Sequence, residues 1–155
     1  SETFVDKSKM SLFGASQGGV VASLYAAAYP DRVNKLMLIF PAFVLFDDAK
    51  ETYHELGSPD FDQLPDSLTH HNTTLGKIYL IDALNIDIQA EQAKITAPTL
   101  IIHGTDDAVV PYQYAVQASQ TIPNAELVTV EGGEHRINER FAITAAPAIQ
   151  KFLKE

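Results

Sequence analysis

The sequence predicts an α/β protein: a partial parallel sheet with flanking helices and a lid inserted after the second strand. Three observations carry this. Runs at 35–40 (KLMLIF) and 99–103 (TLIIH) have the unbroken hydrophobicity of strands buried on both faces. Stretches of helical spacing alternate with such runs, the pattern of a sheet with helices on its faces. Between Pro41 and about Lys94 the alternation stops, leaving roughly fifty residues with scattered Pro, Gly and Asp, too long for a structureless loop inside a compact domain.

In chain order, 10–13 is a short apolar run read as the first strand. Val20, Leu24 and Ala28 then recur at helical spacing until Pro30 closes the segment. The 35–40 strand follows, and after it the inserted stretch, in which 47–66 carries seven acidic residues against one lysine. Pro98 introduces the 99–103 strand and Gly104 ends it. A helix is expected around 116–121 and a strand at 126–130 (ELVTV). Ala145, Ile149, Phe152 and Leu153 mark a closing amphipathic helix, with Thr144 expected as its N-cap and Pro147 in its first turn. The expected organisation is thus 1–40, a first part of the core; 41–94, the lid; and 95–155, the rest of the core.

At 155 residues the chain has the length of one domain. Its formal charge of −9, from 11 Lys+Arg against 20 Asp+Glu, disfavours phosphate backbones and anionic membrane surfaces. The expectation is therefore no nucleic-acid partner and no membrane association. Cysteine is absent, which removes disulfides, thiolate metal sites and a cysteine nucleophile, and fits a cytoplasmic protein. The longest apolar stretch, 36–46, is broken by Pro41 and too short to span a bilayer.

The chemistry is concentrated in three short segments. The first, Gly14-Ala15-Ser16-Gln17-Gly18, is G-x-S-x-G placed between a strand and a helix. That context makes it a nucleophile elbow: Ser16 sits on a sharp turn, and Gly14 and Gly18 are expected to flank it because side chains there would clash. The backbone N–H of Gln17, at the head of the helix, is then placed to stabilise an oxyanion. The second segment runs from Gly104 to Pro111 after a strand and offers two adjacent carboxylates, Asp106 and Asp107, to orient a histidine. The third, Gly132-Gly133-Glu134-His135, follows the last strand. Of the remaining histidines, His54, His70 and His71 read as lid surface and His103 as structural. Ser16 precedes Asp107 by 91 residues and Asp107 precedes His135 by 28, each just after a strand, where open α/β sheets place their sites. A serine, a carboxylate and a histidine in that order read as a triad for acyl transfer.

These segments resemble the α/β-hydrolase superfamily, over what would be its C-terminal two-thirds. The elbow matches at 14–18, the G-x-x-D-x-x-V-P acid loop matches Gly104 to Pro111 and selects Asp107 over Asp106, and the glycine–histidine loop matches Gly132 to His135. Within the superfamily, Ser16-Gln17-Gly18-Gly19-Val20-Val21-Ala22-Ser23 resembles bacterial cinnamoyl (feruloyl) esterases. So do Pro41-Ala42-Phe43, Asp47-Asp48-Ala49, Leu75-Gly76-Lys77-Ile78-Tyr79 and His103-Gly104-Thr105-Asp106-Asp107. The resemblance implies that the insertion caps the active site. It also nominates Asp48 and Tyr79 for binding the phenolic end of a substrate.

The expected function is serine carboxylic-ester hydrolysis on a small-molecule ester, with Ser16 as nucleophile, His135 as base and Asp107 orienting it. No cofactor and no metal are required. The lid sets specificity, so a monoacylglycerol lipase, thioesterase or peptidase of the same fold stays open as an alternative. In the family several strands precede the elbow, together with a loop carrying a second oxyanion donor. The sequence, beginning at Ser1, is accordingly expected to be a fragment with an open, apolar edge on its first strand, covered by a preceding segment or by a homo-oligomer, and a non-catalytic fragment is the remaining alternative.

Overall fold

The computed structural model describes residues 10–70 and 73–154. The chain divides into two compact units, the first ending at Phe43 and resuming at Gln89, the second Val44–Ile88. The expected 41–94 insertion therefore corresponds to a slightly shorter unit, with 41–43 and 89–94 counted in the first.

The first unit is built on a four-stranded sheet, all parallel, formed by β1 (Ser11–Ala15), β2 (Lys35–Ile39), β5 (Thr99–Gly104) and β6 (Ala125–Val130) in the order β1-β2-β5-β6. β2 and β5 are neighbours in the sheet although the whole second unit lies between them in sequence. The middles of the two central strands are apolar because both faces are covered. Leu36, Leu38, Ile39, Leu100, Ile101 and Ile102 are all essentially inaccessible. Burying each such side chain contributes about 1.5–3 kcal/mol. Helix α1 (Gln17–Ala28) packs along β1 and β2, and α5 (Gln113–Thr121) along β5 and β6. The closing helix α6 (Glu139–Lys154) lays Phe141, Ala145 and Phe152 on the sheet face formed by Met37, Ile39, Leu100 and Ile102. Among the described residues β1 is paired with β2 only, and Phe13 on it is exposed.

α6 starts earlier than its sequence suggests. Thr144 was the expected N-cap, but the side chain of Asn138 accepts from the N–H of Phe141 at 3.0 Å and caps the helix there. Pro147 consequently lies in the helix interior rather than the first turn, and the carbonyl of Ile143 loses its helical N–H donor. The first strand likewise runs further than expected, through Gly14 to Ala15.

The second unit contains α2 (Leu45–Glu55), an antiparallel pair β3 (Ser67–His70) and β4 (Thr73–Gly76), and α3 (Lys77–Asn85), with α4 (Ile88–Gln92) leading back to the first unit. Within it α2 contacts α3, and Phe46, Ala49, Leu64, Leu80 and Ala83 are buried. Lys77 bonds to Asp66 through its side chain at 2.7 Å and its backbone N–H at 3.0 Å, fastening the two ends of the β3–β4 ribbon. Val44–Ile88 is thus a compact folded unit. His54 on α2 is exposed, and His71 lies outside the described residues.

Candidate active site

The elbow is strained where the sequence places it. Ser16 has φ 51° and ψ −124°, a backbone state that non-glycine residues rarely adopt. Such a residue costs on the order of 1–3 kcal/mol and persists only where its surroundings over-determine it. Here three backbone bonds do so. Ser16 donates its N–H to Ile39 O at 3.0 Å, and the Ser16 carbonyl accepts from Gly19 at 2.9 Å and Ala42 at 3.0 Å. The serine is thereby tied to the end of β2 and to the segment that follows it.

The glycines divide differently from expectation. A Cβ on Gly14 would lie 2.3 Å from Gly18 O, so β1 and α1 approach too closely for any side chain at that position. Gly18 itself has open space where its Cβ would be. The second glycine that sterics demand is Gly19, whose Cβ would meet the Pro41 ring at 2.9 Å. Gly18 contributes its backbone to the close approach, not a missing side chain.

Asp107 and Asp106, adjacent in sequence, have opposite environments. The Asp107 carboxylate is fully buried, and its Oδ1 accepts from the N–H groups of Val109 at 2.9 Å and Val110 at 2.8 Å. Those bonds turn the loop back on itself and leave Oδ2 facing His135 Nδ1 at 2.7 Å. Asp106 is exposed, and its side chain accepts from Thr105 Oγ1 at 3.1 Å.

His135 closes the relay, its Nε2 standing 3.0 Å from Ser16 Oγ. With Nδ1–H donating to a carboxylate, Nε2 is free to accept the serine proton. Its loop is held against the acid loop by an interlocking set of contacts. Asp106 N–H donates to Gly133 O at 2.9 Å, Thr105 N–H to Val130 O at 3.1 Å, and Gly132 N–H to Thr105 Oγ1 at 2.8 Å. A Cβ on Gly104 would lie 2.2 Å from Gly133 O, and Gly132 takes φ 64°. The glycines at 104, 132 and 133 thus let the histidine loop descend onto the end of β5. Phe40 packs its ring against His135 with centroids 4.4 Å apart.

Gln17 is the first residue of α1, so its N–H has no partner within the helix and points from the helix head beside Ser16. Asp48 and Tyr79 belong to the second unit, on α2 and α3. Burial raises the Tyr79 hydroxyl above the usual tyrosine range, and the negative charge of Asp48 raises it further. The two side chains are therefore electrostatic neighbours within that unit.

His103, read as structural, is completely buried. Its Nε2–H donates to Val110 O at 2.9 Å and lies 3.2 Å from Asp107 Oδ2. Its Nδ1 has no hydrogen-bond partner among the described residues, and burial holds the ring below the usual histidine range. It lies four residues before Asp107, near the end of β5.

Comparison with known proteins agrees with this architecture. The family model for TAP-like proteins matches residues 84–155. RutD of Stutzerimonas stutzeri is 39% identical over 70 residues, covering 44% of this chain and 26% of that protein. The AB hydrolase superfamily protein YisY of Bacillus subtilis is 28% identical over 157 residues, covering 80% of this chain and 59% of its own length. Est1E from Butyrivibrio proteoclasticus, also solved with ferulic acid bound, superposes with a TM-score of 0.82 at 30% identity, covering 94% of this chain and 60% of Est1E. The matches to curated relatives span between 24% and 63% of their lengths. The four-stranded parallel sheet with its flanking helices and the superposition on Est1E agree: the chain has the α/β-hydrolase fold, and it resembles the feruloyl esterases.

Proposed function

We propose that this chain carries the catalytic residues of a serine carboxylic-ester hydrolase acting on cinnamoyl-type esters such as feruloyl esters. The observation that carries the reading is the continuous relay from Ser16 Oγ through His135 to Asp107, at 3.0 and 2.7 Å. Ser16 Oγ attacks the ester carbonyl while its proton passes to His135 Nε2. The tetrahedral oxyanion is met by the Gln17 N–H, one donor of the kind whose loss costs about 2.7–4 kcal/mol. Collapse breaks the ester C–O bond, and His135 returns the proton to the departing alcohol. Water then attacks the acyl-enzyme, losing a proton to His135, and releases the acid and free Ser16. Asp107 stays ionised throughout and balances the transient imidazolium.

The cinnamoyl assignment is supported by the likeness to Est1E, and in the second unit the charge of Asp48 acts on Tyr79. On this reading both hold the phenolic end of the substrate, the tyrosine hydroxyl kept protonated by burial and by the neighbouring charge. The test is turnover of methyl ferulate and of a medium-chain monoacylglycerol by the full-length protein and by its Ser16→Ala variant. Loss of turnover in the variant, with methyl ferulate the better substrate, is expected. Ser16-independent turnover overturns the mechanism, and a preference for the glycerol ester overturns the substrate class.

A further inference from the structure

We propose that His103 is a positioning residue for the Asp107 carboxylate, the proposal resting on the Ser16–His135–Asp107 reading above. The carbonyl of Val110 has no proton to give, so the 2.9 Å contact requires His103 to carry its proton on Nε2. That N–H ties β5 to the far side of the turn whose own amides, at Val109 and Val110, grip Asp107 Oδ1. The result is a closed brace in which one residue of the turn, Val110, donates to the carboxylate and accepts from the histidine. The same Nε2 stands 3.2 Å from Oδ2, the oxygen engaged by His135.

The brace does two things. It fixes the carboxylate against rotation, since Oδ1 is occupied by two amides and Oδ2 lies between two histidines. It also shares the charge on Oδ2, setting a partial positive N–H end beside the oxygen without adding a full charge. A protonated His103 would compete with the His135 imidazolium for Asp107, and the site opposes that state. The ring is inaccessible, Nδ1 has no hydrogen-bond partner among the described residues, and the charged groups that act on it there are Asp107 and His135. The neighbouring aromatic ring, Tyr112, meets it edge-on at 6.0 Å, and the Tyr112 hydroxyl is engaged with Thr129. A neutral histidine thus holds the acid in place while leaving its charge available to His135.

Two measurements test this. Phosphonylation of Ser16 by a fluorophosphonate forms the serine O–P bond and releases fluoride, with the serine proton passing to His135; its second-order rate is read against pH for wild type, His103→Phe and His103→Gln, per folded molecule. His103→Phe is expected to react about 10- to 100-fold more slowly, the loss of one hydrogen bond serving a charged group. The acidic limb of its rate profile is expected to move to higher pH, because Oδ2 no longer shares its charge. His103→Gln, whose amide can reach Val110 O, is expected to recover part of the rate. A His103→Phe variant that is less stable yet reacts at the wild-type rate with an unmoved profile overturns the positioning role. The second measurement needs no variant: side-chain nitrogen shifts of His103 in the wild-type protein between pH 5 and 8. A neutral Nε2–H tautomer is expected at pH 8, with protonation displaced to lower pH than in an ordinary histidine, and an Nδ1–H tautomer or protonation at or above the ordinary histidine pH overturns the proposal even if no variant folds. Wild-type protein that the probe does not label above Ser16→Ala refutes the catalytic reading instead, and leaves the tautomer result to decide the brace.

Discussion

Phe40 and His135 lie ring to ring, 4.4 Å between centroids at an interplanar angle of 48°, and the Phe40 backbone is itself strained at φ 35°. Its N–H donates to Ile102 O at 2.8 Å, and its ring meets the edge of Phe141 at 5.4 Å. The end of β2 therefore builds two parts of the site: Ile39 O holds Ser16, and Phe40 backs the imidazole. Phe40→Leu is expected to lower kcat/KM about 2- to 10-fold, the value of one aromatic pair at 0.5–1.5 kcal/mol, with KM nearly unchanged. Steady-state kinetics on an ester substrate checks this; a full-activity variant shows that the ring only fills space.

The two glycines of the elbow are expected to differ sharply. Gly14→Ala forces a Cβ to within 2.3 Å of Gly18 O and is expected to cost several kcal/mol or prevent folding. Gly18→Ala meets nothing and, inside α1, is expected to be neutral or to stabilise by about 0.4–1 kcal/mol. Urea denaturation of the two variants measures the contrast, and equal destabilisation contradicts the geometry.

Asn138→Ala removes the side-chain acceptor for the Phe141 N–H and is expected to cost about 1 kcal/mol. Thr144→Ala, at the position where the sequence suggested a cap, is expected to cost less, since that residue lies within α6. Thermal melts of both variants decide which residue begins the helix.

The buried His103 predicts an acid-side loss of stability. Its folded-state protonation is pushed below the ordinary histidine value of 6.5, so the unfolded chain binds the proton more readily. The resulting contribution is complete above about pH 6.5 and declines as pH falls below it, by at most about 1.4 kcal/mol per pH unit. His103→Phe lacks this titration. Denaturation midpoints of the two proteins between pH 7 and 5 are expected to converge toward acid; parallel curves refute the assignment.

Much of the site was legible because its chemistry is local. Gly14-Ala15-Ser16-Gln17-Gly18 encodes a turn whose form depends on missing side chains and on a strand before it and a helix after it. The apolar run within 35–40 encodes a strand covered on both faces, observed as Lys35–Ile39. Gly132 and Gly133 signalled a close approach by standing next to a histidine. The boundary of α6 was less legible, because Asn138 and Thr144 are both competent caps and the docking of Phe141 onto Phe40 selects the first.

What the sequence by itself determined is the fold class, the order of serine, acid and histidine, and the glycine-dependent turns that carry them, since these follow from apolar periodicity and from backbone conformations only certain residues adopt. The tertiary structure alone decided which groups meet. Across 119 residues of chain it brought His135 to Ser16, buried Asp107 and left Asp106 outside, and placed His103 against Val110 and Asp107. Sequence distance carries no information about such contacts. They arise because parallel pairing of β1, β2, β5 and β6 brings the C-terminal ends of strands far apart in sequence to one edge of a single sheet.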